Sequence, residues 1–244
     1  MQPTFRNLTD SFESWAYRNG FHRQLAELER QKFLERKRGA LDGRIFRLTA
    51  PGRLRALGGR DPAAEWNRAW DGRWRLVIFD LPTGEERVRS RLRRYLREKG
   101  FGYLQNSVWI TPNPPGREMR TLGGRKTNVE SFVLLEARPC AGESDADIVA
   151  GAWDFDRINQ LYSEHLEILR KRPKGRLDSM MRANALRSWA DHERLAWKEA
   201  IARDPLLPKA LLPSGYKGRK AWERRVKVLA QASRDLRSFS LTNQ

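Results

Sequence analysis

The sequence predicts an α+β protein in three parts: an N-terminal helix-and-hairpin domain, a central mixed domain and a helical C-terminal domain. Three observations carry that prediction. Residues 73–112 read as strand, basic helix and strand in succession. Residues 1–60 carry helix, turn, helix, basic hairpin and strand in that order. Beyond residue 150 the apolar periodicity is helical almost throughout.

In the first part, Thr9, Asp10 and Ser11 can cap a helix carrying Phe12, Trp15 and Ala16, which Asn19-Gly20 stops. Residues 21–33 form a second helix. Phe21, Leu25, Leu28 and Lys32 share one side, and Arg23, Gln24, Glu27, Arg30 and Gln31 face outward. The stretch FLERKRGALDG then leads to a short alternating strand at 44–49, ended by Ala50-Pro51-Gly52. This order is that of a winged helix-turn-helix, whose second helix enters the major groove while the wing flanks the backbone. Residues 1–60 hold 13 Lys and Arg against six Asp and Glu. Six of those cations (Arg30, Lys32, Arg36, Lys37, Arg38, Arg44) crowd the helix end and the wing. A DNA interface here would read bases with His22, Arg23, Gln24 and Glu27. Arg18, Arg30, Lys32, Arg44 and Arg47 would bind phosphates.

Residues 58–64 look like a linker. In the central part, 66–150, the run RWRLVIFDLP reads as a buried strand with Asp80 at its mouth and Pro82 as its stop. Residues 85–99 place Val88, Leu92, Tyr95 and Leu96 at helical spacing, and Gly100 closes the helix. FGYLQNSVWITP resumes a strand, Asn113-Pro114-Pro115-Gly116 marks a turn, residues 127–137 give a further strand, and a helix begins at Asp145. The plan is close to a ferredoxin-like split β-α-β arrangement.

The third part, 151–244, has a helix at 153–170 with Phe155, Ile158, Leu161, Tyr162, His165 and Leu169 on an apolar stripe. His165 reads there as a core histidine. Helices at 182–202 and 220–238 follow, separated by Asp204-Pro205 and a Pro- and Gly-punctuated loop at 206–218.

Composition narrows the classes. The chain has 244 residues, a net charge of +18 and 39% hydrophobic content. No apolar run reaches bilayer length and no signal-type stretch opens the chain, so a cytoplasmic protein off the membrane is expected. The single Cys140 excludes an internal disulfide framework, and three scattered histidines argue against a zinc site or a His-based triad. The charge calls for a polyanion: nucleic acid, or a ligand carrying CoA-type phosphates. Arginine outnumbers lysine over the first two-thirds, which suits bidentate phosphate contacts.

Four ordered blocks resemble the PaaX family of transcriptional regulators. They are WDGRWRLVIFDLP from Trp70, GFGYLQNSVWITP from Gly100, AWDFDRINQLY from Ala152, and DPLLPKALLP from Asp204 with Gly218 and Ala221 beyond. The resemblance implies a winged-helix domain, a ferredoxin-like centre and a helical C-terminal domain. It also implies a homodimer that represses by binding double-stranded operator DNA, needs no cofactor, is not an enzyme, and is released by an acyl-CoA effector (phenylacetyl-CoA in phenylacetate catabolism). Arginines at 87–97 or the basic residues at 171–174 could take the CoA phosphates. Such winged-helix domains have a helix before the Trp15 helix, whereas only residues 1–8 precede it here. Either the true start lies upstream or the DNA-binding domain is trimmed, and a trimmed form could be an adaptor that no longer binds DNA. More distantly, Asp80 and the run Gln105-Asn-Ser-Val-Trp resemble the small CRISPR-associated endonuclease. On that reading Asp80 and its dimer mate would hold a divalent cation that activates water. Asp80 as a turn cap or an arginine's partner is the simpler reading, since two-metal chemistry wants several carboxylates.

Overall fold

A computed structural model describes residues 21–38, 44–56, 59–80, 84, 86–114, 116, 132–140, 142–175 and 179–242. The chain is α+β, and it divides into two compact units, Met1–Asp61 and Pro62–Gln244. The helix expected before Asn19 lies outside the described residues.

In the first unit, α1 (Phe21–Arg30) is followed by the strands β1 (Leu34–Arg38) and β2 (Arg44–Leu48) and the short helix α2 (Ala50–Ala56). Helix α1 closes with two reverse bonds: Phe33 N–H donates to Leu28 O and Lys32 N–H to Glu29 O, both at 2.9 Å. That closure puts Lys32 in the left-handed region, φ 58°. Residues 50–52 were expected to end a strand, but they start α2. Thr49 caps it by accepting from Gly52 N at 3.1 Å, and its own hydroxyl donates to Lys32 O at 2.6 Å. Only glycine fits at 52, because a Cβ there would lie 1.9 Å from Phe33 O.

The second unit begins with α3 (Pro62–Asn67), whose first three residues fall in the stretch expected to be a linker. Proline pre-sets the first helical φ, and Trp66, 3% exposed, drives the turn into the core. Strand β3 (Trp74–Phe79), helix α4 (Glu86–Glu98), and strands β4 (Gly102–Gln105), β5 (Val108–Thr111) and β6 (Phe132–Ala137) then build a sheet ordered β4-β5-β3-β6. All its neighbours are antiparallel. Strands β3 and β4 therefore run parallel, with α4 as their crossover and β5 between them. The single strand expected over 101–112 is instead a hairpin, turning at Asn106 with φ 47°. Asparagine is one of the few side chains that tolerate that region.

Alternation along the strands gives the sheet two apolar faces. Val77, Phe79 and Trp109 meet Leu96, Leu92 and Tyr95 of α4. Trp74 and Ile110 meet Val149 and Trp153 on the other side, at and after α5 (Asp145–Ala152). That second cluster runs on into α6 (Phe155–Arg170), α7 (Met180–Arg203) and α8 (Gly218–Thr242). The expected apolar stripe of α6 is buried along its length. The loop expected at 206–218 is more deeply set than its composition suggests. Leu206 and Leu207 are fully buried, and a 3₁₀ turn spans Lys209–Leu211. Asp204 anchors this segment: Tyr162 and Tyr216 donate their hydroxyls to its Oδ2, and Leu206 N–H donates to Oδ1 at 2.8 Å. Glu193 of α7 ties the helices together, accepting from His165 Nε2 of α6 at 2.8 Å and from Arg225 Nε of α8 at 2.7 Å. His165 is thus a core histidine, as its place on the stripe suggested.

Candidate nucleic-acid interface

The first unit presents charge on two elements, α1 and the hairpin. Arg23, Glu27 and Arg30 stand at i, i+4 and i+7 and share one side of α1. Arg23 and Arg30 are exposed, and Glu27 is half-buried. Glu27 is already engaged: Arg30 donates to both its oxygens, at 2.9 and 2.6 Å, and Gln31 donates to Oε1 at 2.5 Å. The hydrogen bonds from Arg30 and Gln31 pull the Glu27 carboxyl down to about 2, with the charge of nearby Arg23 helping. The row therefore alternates plus, minus, plus. Its carboxylate neutralises one arginine unless a phosphate takes that arginine instead.

Strand pairing sets the hairpin's charge pattern. Glu35 faces Arg47 across the ladder, whereas Arg38 faces Arg44 where the two strands approach residues 39–43. Nearer α1 the pattern is balanced, since Arg36 of β1 reaches back to Glu29 at 2.7 Å.

Of the residues assigned from sequence, Arg23, Glu27 and Arg30 come together on α1, joined there by His22 and Gln24 in sequence. Lys32 is exposed at the helix-closing turn, Arg44 opens β2, and Arg47 is exposed further along it. Arg18 lies outside the described residues. The Glu29–Arg36 pair went unforeseen, because it joins two elements and no intra-helix spacing announces it. The docking of α2 at Gly52 was also missed, although a glycine one turn inside a helix was the available signal.

Asp80 is exposed directly after β3. Among the described residues, no three His, Cys, Asp or Glu side chains gather as a metal site would need. Also among these residues, no helix is long and apolar enough to cross a membrane.

Comparison with known proteins gives two family matches. A model of the PaaX protein central Cas2-like domain matches residues 67–149, and one of the PaaX-like protein C-terminal domain matches residues 153–239. The transcriptional repressor PaaX of Escherichia coli (strain K12) is 24% identical over 160 residues, 63% of this chain and 49% of that protein. The chain thus spans about half the length of this curated relative. Among solved structures, the uncharacterized protein Rv0674 from Mycobacterium tuberculosis superposes with a TM-score of 0.54 at 20% identity, covering 89% of this chain and 82% of that one. That likeness concerns the fold.

Proposed function

The chain belongs to the PaaX family, and from that premise we propose that it is a transcriptional repressor that binds operator DNA as a homodimer and is released by an acyl-CoA. The observation that carries this reading is the first unit itself, a helix followed by an antiparallel strand pair whose register sets Arg38 opposite Arg44. In the proposed complex the unit is a winged helix-turn-helix spanning residues 1–60. Helix α1 enters the major groove, Arg23 with His22 and Gln24 reads bases, and the hairpin arginines hold phosphates. The strand order β4-β5-β3-β6 supports a ferredoxin-like centre, which we assign to dimerisation, with the helical residues 151–244 as the effector-sensing part.

A gel shift with the DNA upstream of the protein's own operon tests the reading. Retardation is expected, and its absence overturns operator binding in favour of a non-DNA-binding adaptor. Arg44→Ala should weaken binding to all sequences about equally and flatten the salt dependence by about one unit. Arg23→Ala should instead change which bases are preferred. If it leaves promoter binding untouched, α1 is not the reading helix.

A further inference from the structure

Two cavities of the second unit share a wall. The first, of about 400 Å³, opens where the end of α4 and the β4–β5 hairpin meet α6 and α7, and four arginines line it: Arg94, Arg97, Arg157 and Arg203. Arg94 and Arg97 are exposed and make no ion pair with a described residue. Arg157 and Arg203 stand 4.0 and 3.9 Å from Glu164 and Glu199, at the outer limit of pairing. Two of the carboxylates in the wall are already committed. Asp154 caps α6 by accepting from Arg157 N–H at 2.9 Å, and Asp204 is held by the two tyrosines. With Glu98 the described lining holds three carboxylates against four guanidinium groups, an excess of one positive charge, and Asp154 and Asp204 have their oxygens turned to these partners. The cavity also has a buried donor without a partner: Trp109 is 1% exposed, its Nε1 makes no hydrogen bond, and the Arg97 guanidinium lies 5.5 Å over its ring.

The neighbouring cavity, of about 690 Å³, has the opposite chemistry. Val149, Phe155, Leu211 and Leu212 are among its lining, and among the described residues no Lys or Arg is. Its acidic side chains, such as Asp145 and Asp156, would repel an anion. Tyr103, Ala152, Trp153 and Asp154 belong to both cavities, so a single molecule can lie across them, with the Asp154 carboxylate turned to the α6 N-terminus it caps.

We propose that this pair of cavities is one binding site for an amphiphilic organic anion, with a phosphate or pyrophosphate ester head among the four arginines and an apolar tail in the cation-free neighbour. The guanidinium fork matches phosphate geometry, and water-poor apolar walls take the tail. An acyl-CoA has both parts, so the site deepens the effector reading of the preceding section and rests on it for its biological role. The basic stretch at 171–174 is the weaker alternative. Arg172 there is ion-paired with Asp235, which leaves two exposed lysines outside both cavities.

Calorimetric titration of the full chain with phenylacetyl-CoA, CoA and phenylacetate tests the site. Phenylacetyl-CoA should bind, CoA about tenfold more weakly, and phenylacetate not measurably. Arg97→Ala and Arg203→Ala, both at exposed positions, should each weaken the two CoA ligands about tenfold. Gly151 lines the second cavity, and a Cβ there meets nothing within 4 Å. Gly151→Leu should therefore bring phenylacetyl-CoA down to the affinity of CoA and leave CoA unchanged. Binding of none of the three, or binding indifferent to both arginine substitutions, overturns the site. Operator release, followed separately on the preformed DNA complex, keeps the two readings apart. Arginine-dependent binding that releases no DNA supports the site and overturns the effector role. Release that survives both arginine substitutions supports the effector role and overturns the site.

Discussion

Glu27 and Glu193 each accept hydrogen bonds from an arginine and one further side chain, and each is held below the ordinary carboxylate range, yet they serve opposite ends. Glu27 sits on the solvent side of α1, where its arginine can leave for another anion at little cost. Glu193 is 1% exposed, and its partners come from two other helices. Taking that carboxylate and Arg225 out of water was costly, and neither can now be released without stranding a charge in the core. The same pair chemistry is an adjustable surface contact in one unit and a fixed joint in the other.

The sharpest way to break the comparison is to remove one partner of the buried joint. Arg225→Met leaves Glu193 with His165 alone and should cost about 3–5 kcal/mol in denaturant unfolding. Glu193→Leu together with Arg225→Met should cost markedly less than Arg225→Met alone, because no charge is then stranded. If the single change costs no more than a surface pair does, Glu193 is not the joint described.

A smaller effect follows from pH. Burial pushes the Glu193 carboxyl up, but the His165 hydrogen bond and the Arg225 charge outweigh it and leave the group below its ordinary value near 4.5. A depressed folded-state value stabilises the fold fully above about 4.5, and this contribution is lost as pH falls through the folded value. Wild-type stability should therefore fall off below about 4.5, and Glu193→Gln should start lower and show a flatter acid limb. An unchanged slope would mean that Glu193 does not carry this dependence. Glu27 obeys the same sign, but it lies in water, so unfolding should barely show it, and an NMR titration should find its carboxyl drawn down to about 2.

Of the joint only His165 was legible, since nothing in the spacing of α7 and α8 announces the Glu193–Arg225 pair, and of the interface only the row on α1 was. The α6 stripe placed His165 in the core because burial follows helical period. Similarly, the closure of α4 was readable because Gly100, at φ 79°, marks it. Helix α1 uses the same closure with Lys32 in the glycine position, and no composition rule flags a lysine there. Pro62 was read as linker punctuation although proline also begins helices, and it was Trp66 that decided between the two. In the hairpin at 102–111 the turn rests on Asn106 with no glycine beside it, so two strands read as one. On α1 the row of Arg23, Glu27 and Arg30 could be read from spacing. The Glu29–Arg36 pair could not, since it depends on how β1 returns beside the helix.

The smallest predicted effect bears on the surface half of the comparison. Glu27→Gln removes the carboxylate that holds Arg30 while keeping the side chain's size and its capacity to accept a hydrogen bond. Unfolding should barely register it, because both groups stay in water. DNA binding should register it, since Arg30 becomes available to a phosphate without first breaking a bidentate pair. One additional phosphate contact steepens the salt dependence by up to about 0.9 units and raises affinity a few-fold at low salt. Glu193→Gln, by contrast, should alter stability and leave the salt slope where it was. If Glu27→Gln leaves both affinity and slope unchanged, Arg30 does not meet the DNA backbone, and its pairing with Glu27 serves the helix alone.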